Sequence, residues 1–256
     1  MASRNIRRKF GQNYLSDPAI IFEMGRAISP LVGDNFFEIG PGMGALTNVL
    51  NLAGINVKAI DVDEKNIEYL TKQYTGPAKF DFIHGDVLST SLNFLEKDNH
   101  RIVGNLPYNI STQIILMFTN WHHLVDDLHF LVQKEVAEKI AGKVATKNWG
   151  KLSIKLSAFF NTQILFNVPP EAFDIKPKVH SSFIRMTPQK KYNIDQSTKE
   201  KLFKIIDMSF LSRRKNIKNN LKKLNLDWNG LDINPGLRPE EISLDNFLKI
   251  VKTLEN

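Results

Sequence analysis

Cysteine is absent from the 256 residues. Disulfides, zinc–thiolate sites and thiol nucleophiles are thereby excluded, and a reducing cytoplasm is the default compartment. No apolar run approaches the roughly 18 residues needed to cross a bilayer. The basic opening, MASRNIRRKFGQ, lacks the apolar stretch of a secretion signal. Internal repeats and low-complexity tracts are missing too. What is present is ordinary for a water-soluble chain: 42% hydrophobic and 24% charged residues, which excludes a mainly disordered, collagenous or coiled-coil protein. At roughly 150 residues per domain the length predicts one large domain or one with a small companion.

Charge is unevenly spread. Lys and Arg number 34 against 27 Asp and Glu, a net +7. Arg4, Arg7, Arg8 and Lys9 form one basic patch; Arg213, Arg214, Lys215, Lys218, Lys222 and Lys223 form another, with no acid between Met208 and Leu226. The rest of the chain is mildly acidic. Two basic patches on such a body suit a polyanion docking at defined places. Taken singly, each patch reads as well as a solvated face.

Strands and helices alternate in the first half. Asp17-Pro18 starts a helix, with Asp17 as cap and Pro18 in the first turn. Strands are expected at 36–39, 57–62, 80–83, 101–103 and 128–132. Helices are expected from Leu46 to a stop at Gly54 and around Ile67, Leu70 and Tyr74. This alternation predicts parallel βαβ units around a buried sheet. Segments 162–168 and 182–186 read as an antiparallel hairpin at the sheet edge, separated by a proline-rich stretch. Residues 189–197 read as a linker, and every periodic segment beyond is helical. The expected division is an α/β body over 1–188 and a small all-helical domain over 189–256.

Glu38-Ile39-Gly40-Pro41-Gly42-Met43-Gly44 lies between the first strand and its helix. Glycines there allow a tight turn and close approach of a ligand to the backbone. The spacing is GxGxG, not the GxGxxG of dinucleotide sites. Asp61 ends the second strand, where a carboxylate can accept from both ribose hydroxyls. Asp86 follows the third, where it can accept from an adenine amine. A nucleoside-bearing cofactor across three consecutive strand ends fits the switch-point rule for open sheets. A glycine turn with two solvent-facing acids is the plainer reading, and a nicotinamide dinucleotide the rival ligand.

Asn105-Leu106-Pro107-Tyr108 follows the fourth strand at the same rim. An exocyclic adenine amine is a poor nucleophile because its lone pair is delocalised into the ring. Two acceptors holding its hydrogens would favour a more tetrahedral nitrogen; the Asn105 side-chain oxygen and the Leu106 carbonyl are candidates. Pro107 pushes Leu106 toward extended geometry and so helps aim that carbonyl. Tyr108 offers a face on which a base can stack, and a base within a loop must be swung out to reach it. An ordinary Asn-x-Pro turn is the alternative, since both residues are common in turns.

With these residues in view, the chain resembles the small-subunit ribosomal RNA adenine dimethyltransferase family of the bacterial KsgA type, nearly end to end. The resemblance rests on Phe10-Gly11-Gln12-Asn13-Tyr14-Leu15, on the glycine loop, on Asn105-Leu106-Pro107-Tyr108-Asn109-Ile110-Ser111-Thr112, on Gln133-Lys134-Glu135-Val136, on Gly150-Lys151-Leu152-Ser153, on Pro177-Lys178-Val179-His180-Ser181 and on Arg213-Arg214-Lys215. It implies a Rossmann-like α/β methyltransferase sheet with a C-terminal helical domain, using S-adenosyl-L-methionine and no metal. The implied reaction dimethylates two adjacent adenosines in the 3′-terminal hairpin loop of small-subunit rRNA, late in assembly of the 30S particle. Residue by residue, Asn13, Leu15, Gly40 and Gly42 would touch the cofactor, Asp61 its ribose and Asp86 its adenine. Asn105, Leu106, Pro107 and Tyr108 would form the catalytic motif, with Asn105 bridging cofactor and target amine. Tyr108 and Phe173 would sandwich the base. Arg214, Lys215, Lys218 and Lys222, on a helix with Ile217, Leu221 and Leu224 turned inward, would meet rRNA phosphates, and the N-terminal arm would lie over the active site or grip RNA. A monomeric, cytoplasmic enzyme is expected.

Two departures stand out: the family usually has Glu where Asp61 stands and Phe where Tyr14 stands. Other readings are a methylase of large-subunit rRNA, a non-catalytic assembly factor on the same fold, and a nicotinamide oxidoreductase. Leu106 argues against the first, since those methylases usually have Ile there. Intact Gly40, Asp86 and Asn105 argue against the second.

Overall fold

A computed structural model describes residues 13–212 and 214–254. The basic arm at Arg4 to Lys9, and Arg213, lie outside the described residues. Helix α1 (Pro18–Ile28) begins as its sequence dictates: the Asp17 side chain accepts from Ala19 N and Ile20 N, and Pro18 occupies the first turn. Met24 and Ile28 form its buried face. Strands β1 (Asn35–Ile39), β2 (Asn56–Asp61), β3 (Lys79–His84), β4 (His100–Asn105) and β5 (Val125–Gln133) alternate with helices α2 (Ala45–Leu50), α3 (Glu64–Gln73) and α4 (Ser111–Met117). Helices α5 (Lys134–Ile140) and α6 (Lys151–Ser157) precede strands β6 (Phe160–Val168) and β7 (Ser181–Pro188). The order across the seven-stranded sheet is β3-β2-β1-β4-β5-β7-β6. The first five strands run parallel and β7 pairs antiparallel with β5. This is the open, mostly parallel α/β sheet that the sequence predicts, with the late hairpin at its edge.

Register fixes where the site must form. Ile39 pairs with Ile60 on one side and with Gly104 on the other, and Asp61 pairs with His84. The next residue along each strand therefore emerges at one rim: Gly40, Asp61, Gly85 and Asn105. The direction of strand addition reverses between β1 and β4, which opens the crevice where ligands bind in such sheets.

Helix α2 is shorter than expected. It stops at Leu50, where Asn51 N bonds back to Asn48 O and Leu52 N to Leu50 O. Gly54, at a φ of 79°, turns the chain into β2 instead of closing the helix.

By internal packing the chain divides into two compact units, residues 1–137 with 163–188, and residues 138–162 with 189–256. In the second, α7 (Gln196–Ser209) is capped by Asp195 and α10 (Leu244–Lys252) by Ser243. Leu202, Ile205 and Ile206 of α7, and Phe247, Ile250 and Val251 of α10, are buried. Residues 138–162 belong here because Trp149 Nε1 donates to Ile242 O at 2.9 Å and Lys155 Nζ to Asp207 Oδ2 at 2.8 Å. Between α7 and α10 lie the one-turn helices α8 (Ile217–Asn220) and α9 (Trp228–Leu231).

The expected single basic helix is broken. α8 is capped by Asn216 and is followed by a tight turn, Lys222–Leu224, that ends at Asn225 with a φ of 46°. Asn220 bonds back to Ser212 O and Lys215 O, the local competition that makes Asn a poor interior helix residue. Ile217 and Leu221 are buried as expected, while Leu224 is only partly covered. No helix of the described residues is long and apolar enough to cross a membrane.

Candidate active site

A crevice opens at this rim, the place where ligands bind in open sheets of this kind. Asn13, Tyr14, Gly40, Gly42, Asp61, Asp86, Asn105, Leu106 and Pro107 all line it. Residues that sequence reading left aside form its apolar walls: Ile60, Val87, Ile110 and Ile114. Gly40 and Gly42 have φ values of 65° and 56°, which glycine adopts freely. A Cβ on Gly42 would come within 2.8 Å of the Tyr14 ring, so the loop and the segment at Tyr14 touch directly.

Asp61 is 4% exposed. Its Oδ2 accepts from Gly42 N at 3.0 Å and Asn66 Nδ2 at 3.1 Å, and its Oδ1 from Asp63 N at 2.9 Å. Burial raises its pKa above the ordinary aspartate value, and these three bonds oppose the rise. Asn66 also meets the Tyr14 hydroxyl, 3.2 Å from Nδ2 and 3.3 Å from Oδ1. Asp86 is exposed, with Oδ1 taking the Leu88 amide at 2.9 Å.

Asn105 Nδ2 donates to the Asn13 carbonyl at 2.7 Å. A carbonyl cannot donate, so the amide nitrogen must face Asn13 and Oδ1 is the atom left to accept. Leu106 N extends the β4–β5 ladder to Leu131 O at 3.1 Å, which pins the backbone of the motif. Tyr108 is half-buried, and its hydroxyl lies 2.6 Å from Ser181 Oγ at the start of β7. Burial, the larger influence, raises the Tyr108 pKa; the Ser181 bond opposes it.

Not every expected residue reaches the crevice. Leu15 lines a smaller chamber behind the glycine loop together with Glu38 and Met43. Phe173 is 3% exposed and packs in the same hydrophobic core as Leu15. Its backbone bridges Leu15, while Ser16 N and Asp17 N bond to Ala172 O. The ring is thus held as core and does not line the crevice. Arg214, Lys215, Lys218 and Lys222 are exposed on the second unit.

Glu38 is a site neighbour that sequence reading gave no role. It is fully buried, accepts from Thr47 Oγ1 at 2.8 Å, and has a pKa raised to about 8, chiefly by burial. Its place at the end of β1, just before Gly40, was the available signal.

The family model for ribosomal RNA adenine dimethylase matches residues 3–256. The chain belongs to that family. It is 42% identical to ribosomal RNA small subunit methyltransferase A of Legionella pneumophila strain Corby over 253 residues, covering 98% of both chains. To the protein of that name from Coxiella burnetii strain RSA 493 it is 35% identical, covering 99% of this chain and 100% of the other. Among solved structures, a dimethyladenosine transferase from Plasmodium falciparum aligns with a TM-score of 0.79 at 22% identity, covering 94% and 97% of the two chains. The 23S rRNA methyltransferase ErmE aligns at 0.73 and 18%, covering 95% and 100%. These two likenesses show the fold alone.

The protein is thus an rRNA adenine methyltransferase that uses S-adenosyl-L-methionine. The crevice fits that cofactor: apolar walls suit an adenine ring, acids end β2 and follow β3, and side-chain-free backbone at Gly40 and Gly42 leaves room between them.

Proposed function

We infer that this enzyme dimethylates the exocyclic amines of two adjacent adenosines in the 3′-terminal hairpin loop of small-subunit rRNA. It acts as a cytoplasmic monomer on a late 30S particle. The observation that carries the mechanism is the Asn105–Asn13 bond, which leaves the Asn105 side-chain oxygen as an acceptor in the crevice.

S-adenosyl-L-methionine supplies a methyl group activated by its sulfonium. The chain supplies placement. Asn13, Gly40, Gly42, Asp61 and Asp86 hold the cofactor, with Leu15 supporting the loop from behind. Asn105 Oδ1 and the Leu106 carbonyl each hold one hydrogen of the target amine, which draws the nitrogen lone pair out of conjugation. As positive charge grows on that nitrogen, both oxygens stabilise it. Tyr108 stacks on the base, and its hydroxyl bond to Ser181 keeps the ring in one orientation. Phe173 supports the far wall from the core. No general base is required in the transfer itself, since positioning and charge stabilisation supply most of the rate, and the methylated amine would then lose its proton to water. Arg214, Lys215, Lys218 and Lys222 contact phosphates, each contact steepening the loss of affinity with salt.

Labelled methyl donor given to undermethylated small subunits tests the reading. Label should appear on two adjacent adenosines of the 3′-terminal hairpin. Label on large-subunit rRNA, or on single adenosines elsewhere, would replace this substrate with another.

A further inference from the structure

A second concavity, of about 590 Å³, lies wholly within the second unit, and its size is that of a small-ligand site. None of the residues assigned to methyl transfer lines it. Three exposed cations do, Lys139, Lys147 and Lys151, of which Lys151 also meets Asp207 at 3.4 Å. Trp149 and the half-buried Phe210 give it apolar walls. Glu240 is the acid of the lining, and its Oε2 is buried with no hydrogen-bond partner among the described residues. A covered carboxylate oxygen without a donor is costly, and native structures seldom keep one without a use. The surroundings hold Glu240 in place. Its carbonyl accepts from Ala145 N at 3.1 Å, and the Ile242 carbonyl accepts from Trp149 Nε1 at 2.9 Å. Ala145 sits at a φ of 62°, which residues with a side chain seldom adopt. Such strain persists where neighbouring contacts impose it, and it gathers at binding sites. The loop carrying Lys147 and Trp149 is thus clamped onto the segment carrying Glu240. From Phe210 the chain soon reaches the exposed Arg214 and Lys215.

We propose that this concavity receives one unpaired guanine nucleotide of the substrate rRNA, with Glu240 reading the base and the lysines holding its phosphates. The inference takes from the reading above only that rRNA is the substrate. Chemistry selects the base. An ionised carboxylate only accepts, so its partner must present donors. The Watson–Crick edge of guanine sets the N1 hydrogen beside an N2 hydrogen, and the pair matches the two carboxylate oxygens as a fork, the strong bidentate arrangement. Adenine and cytosine place a ring acceptor beside their amine, and uracil flanks its single donor with two carbonyls. Each of those edges turns a lone pair toward the carboxylate. The last torsion of a glutamate is soft, so Oε2 can rotate to meet an entering base. Phe210 supplies an aromatic surface for that base. Unpaired bases are where proteins read RNA sequence, and the cations at the rim suit the phosphates on either side.

The test is fluorescence anisotropy of labelled pentanucleotides UUXUU, with X guanosine, inosine or cytidine, binding to the full chain. Adenosine is left out because the methyl-transfer site takes it. Inosine keeps the N1 hydrogen and lacks only the N2 amine. The unaltered chain should bind the guanosine form about tenfold more tightly than the inosine form, the effect of one charge-assisted hydrogen bond, and the cytidine form more weakly still. Glu240→Gln should remove the preference for guanosine over inosine, since an amide offers one acceptor where the fork needs two. Lys147→Ala should weaken all three alike and lower the salt slope by about 0.7. Equal binding of guanosine and inosine by the unaltered chain would overturn the proposal without recourse to any variant. A preference that survives Glu240→Gln would overturn it as well. Free guanosine monophosphate competing as strongly as the pentanucleotide would make a free nucleotide the occupant and overturn the assignment to rRNA. Methyl label on other adenosines, in the assay above, would overturn the choice of target there and leave this site standing.

Discussion

Glu38 makes the protein's stability fall as pH rises across the neutral range. The side chain is fully buried under the glycine loop and accepts from the Thr47 hydroxyl. Burial holds its pKa at about 8 against the ordinary 4.5. Unfolding exposes the acid, which then ionises at any pH above 4.5. Between 4.5 and 8 the folded protein carries a proton that the unfolded chain has lost. This contribution is complete below pH 4.5 and declines as pH rises toward 8. At about 1.4 kcal/mol per pH unit, the interval from 4.5 to about 8 amounts to roughly 5 kcal/mol. Glu38→Gln keeps the shape and an acceptor for Thr47 but cannot ionise. Urea unfolding from pH 5 to pH 8.5 should show the variant losing less stability with pH, by about 1.4 kcal/mol per unit. The variant should overtake the unaltered protein near the alkaline end. Parallel curves would refute a protonated Glu38.

Asp127 gives the opposite sign. Burial alone would raise its pKa, but His129 and Arg101 hold it well below the ordinary aspartate value, so its contribution is present above about pH 4 and lost on acidification. Arg101 is bonded to both Asp127 oxygens and to Asp34, so Asp127→Ala should cost about 3–5 kcal/mol in chemical unfolding. At Tyr108, Phe should bind substrate RNA nearly as well as Tyr does. Ala should lose the stacking term of about 1–3 kcal/mol, read as a rise in KM. Replacing Lys218, Lys222 and Lys223 together with Ala should flatten the salt dependence of RNA binding by about two in slope; an unchanged slope would make them a solvated face.

The sheet was legible because its signals are local. β-rich runs alternate with helical spacing, and the first four strands end at a glycine, an acid or the Asn-Leu-Pro-Tyr turn. The glycine loop, Asp61, Asp86 and Asn105 then had to share a rim, and the register of β1 with β2 and β4, and of β2 with β3, places them there. What stayed hidden depends on partners distant in sequence. Nothing around Asn66 announces a bond to Tyr14, 52 positions away, nor does Trp149 announce Ile242. The break in the basic segment escaped notice because Ile217 and Leu221 keep helical spacing across a single turn, while Asn216 and Asn220 draw the backbone into caps. From sequence Phe173 reads equally as a loop aromatic filling a core or as half of a base sandwich, and the bridge to Leu15 decides for the core.

The central claim is that the Asn105 side-chain oxygen, held by Asn13, receives the amine during methyl transfer. Single-turnover transfer to undermethylated small subunits, measured for Asn105→Ala beside calorimetric donor affinity, tests it most directly. The account predicts a rate loss on the order of 10²-fold or more, as when a transition-state hydrogen-bond partner is removed, with donor affinity changed by less than about tenfold. A rate near that of the unaltered enzyme, or a loss explained wholly by weaker donor binding, would contradict it.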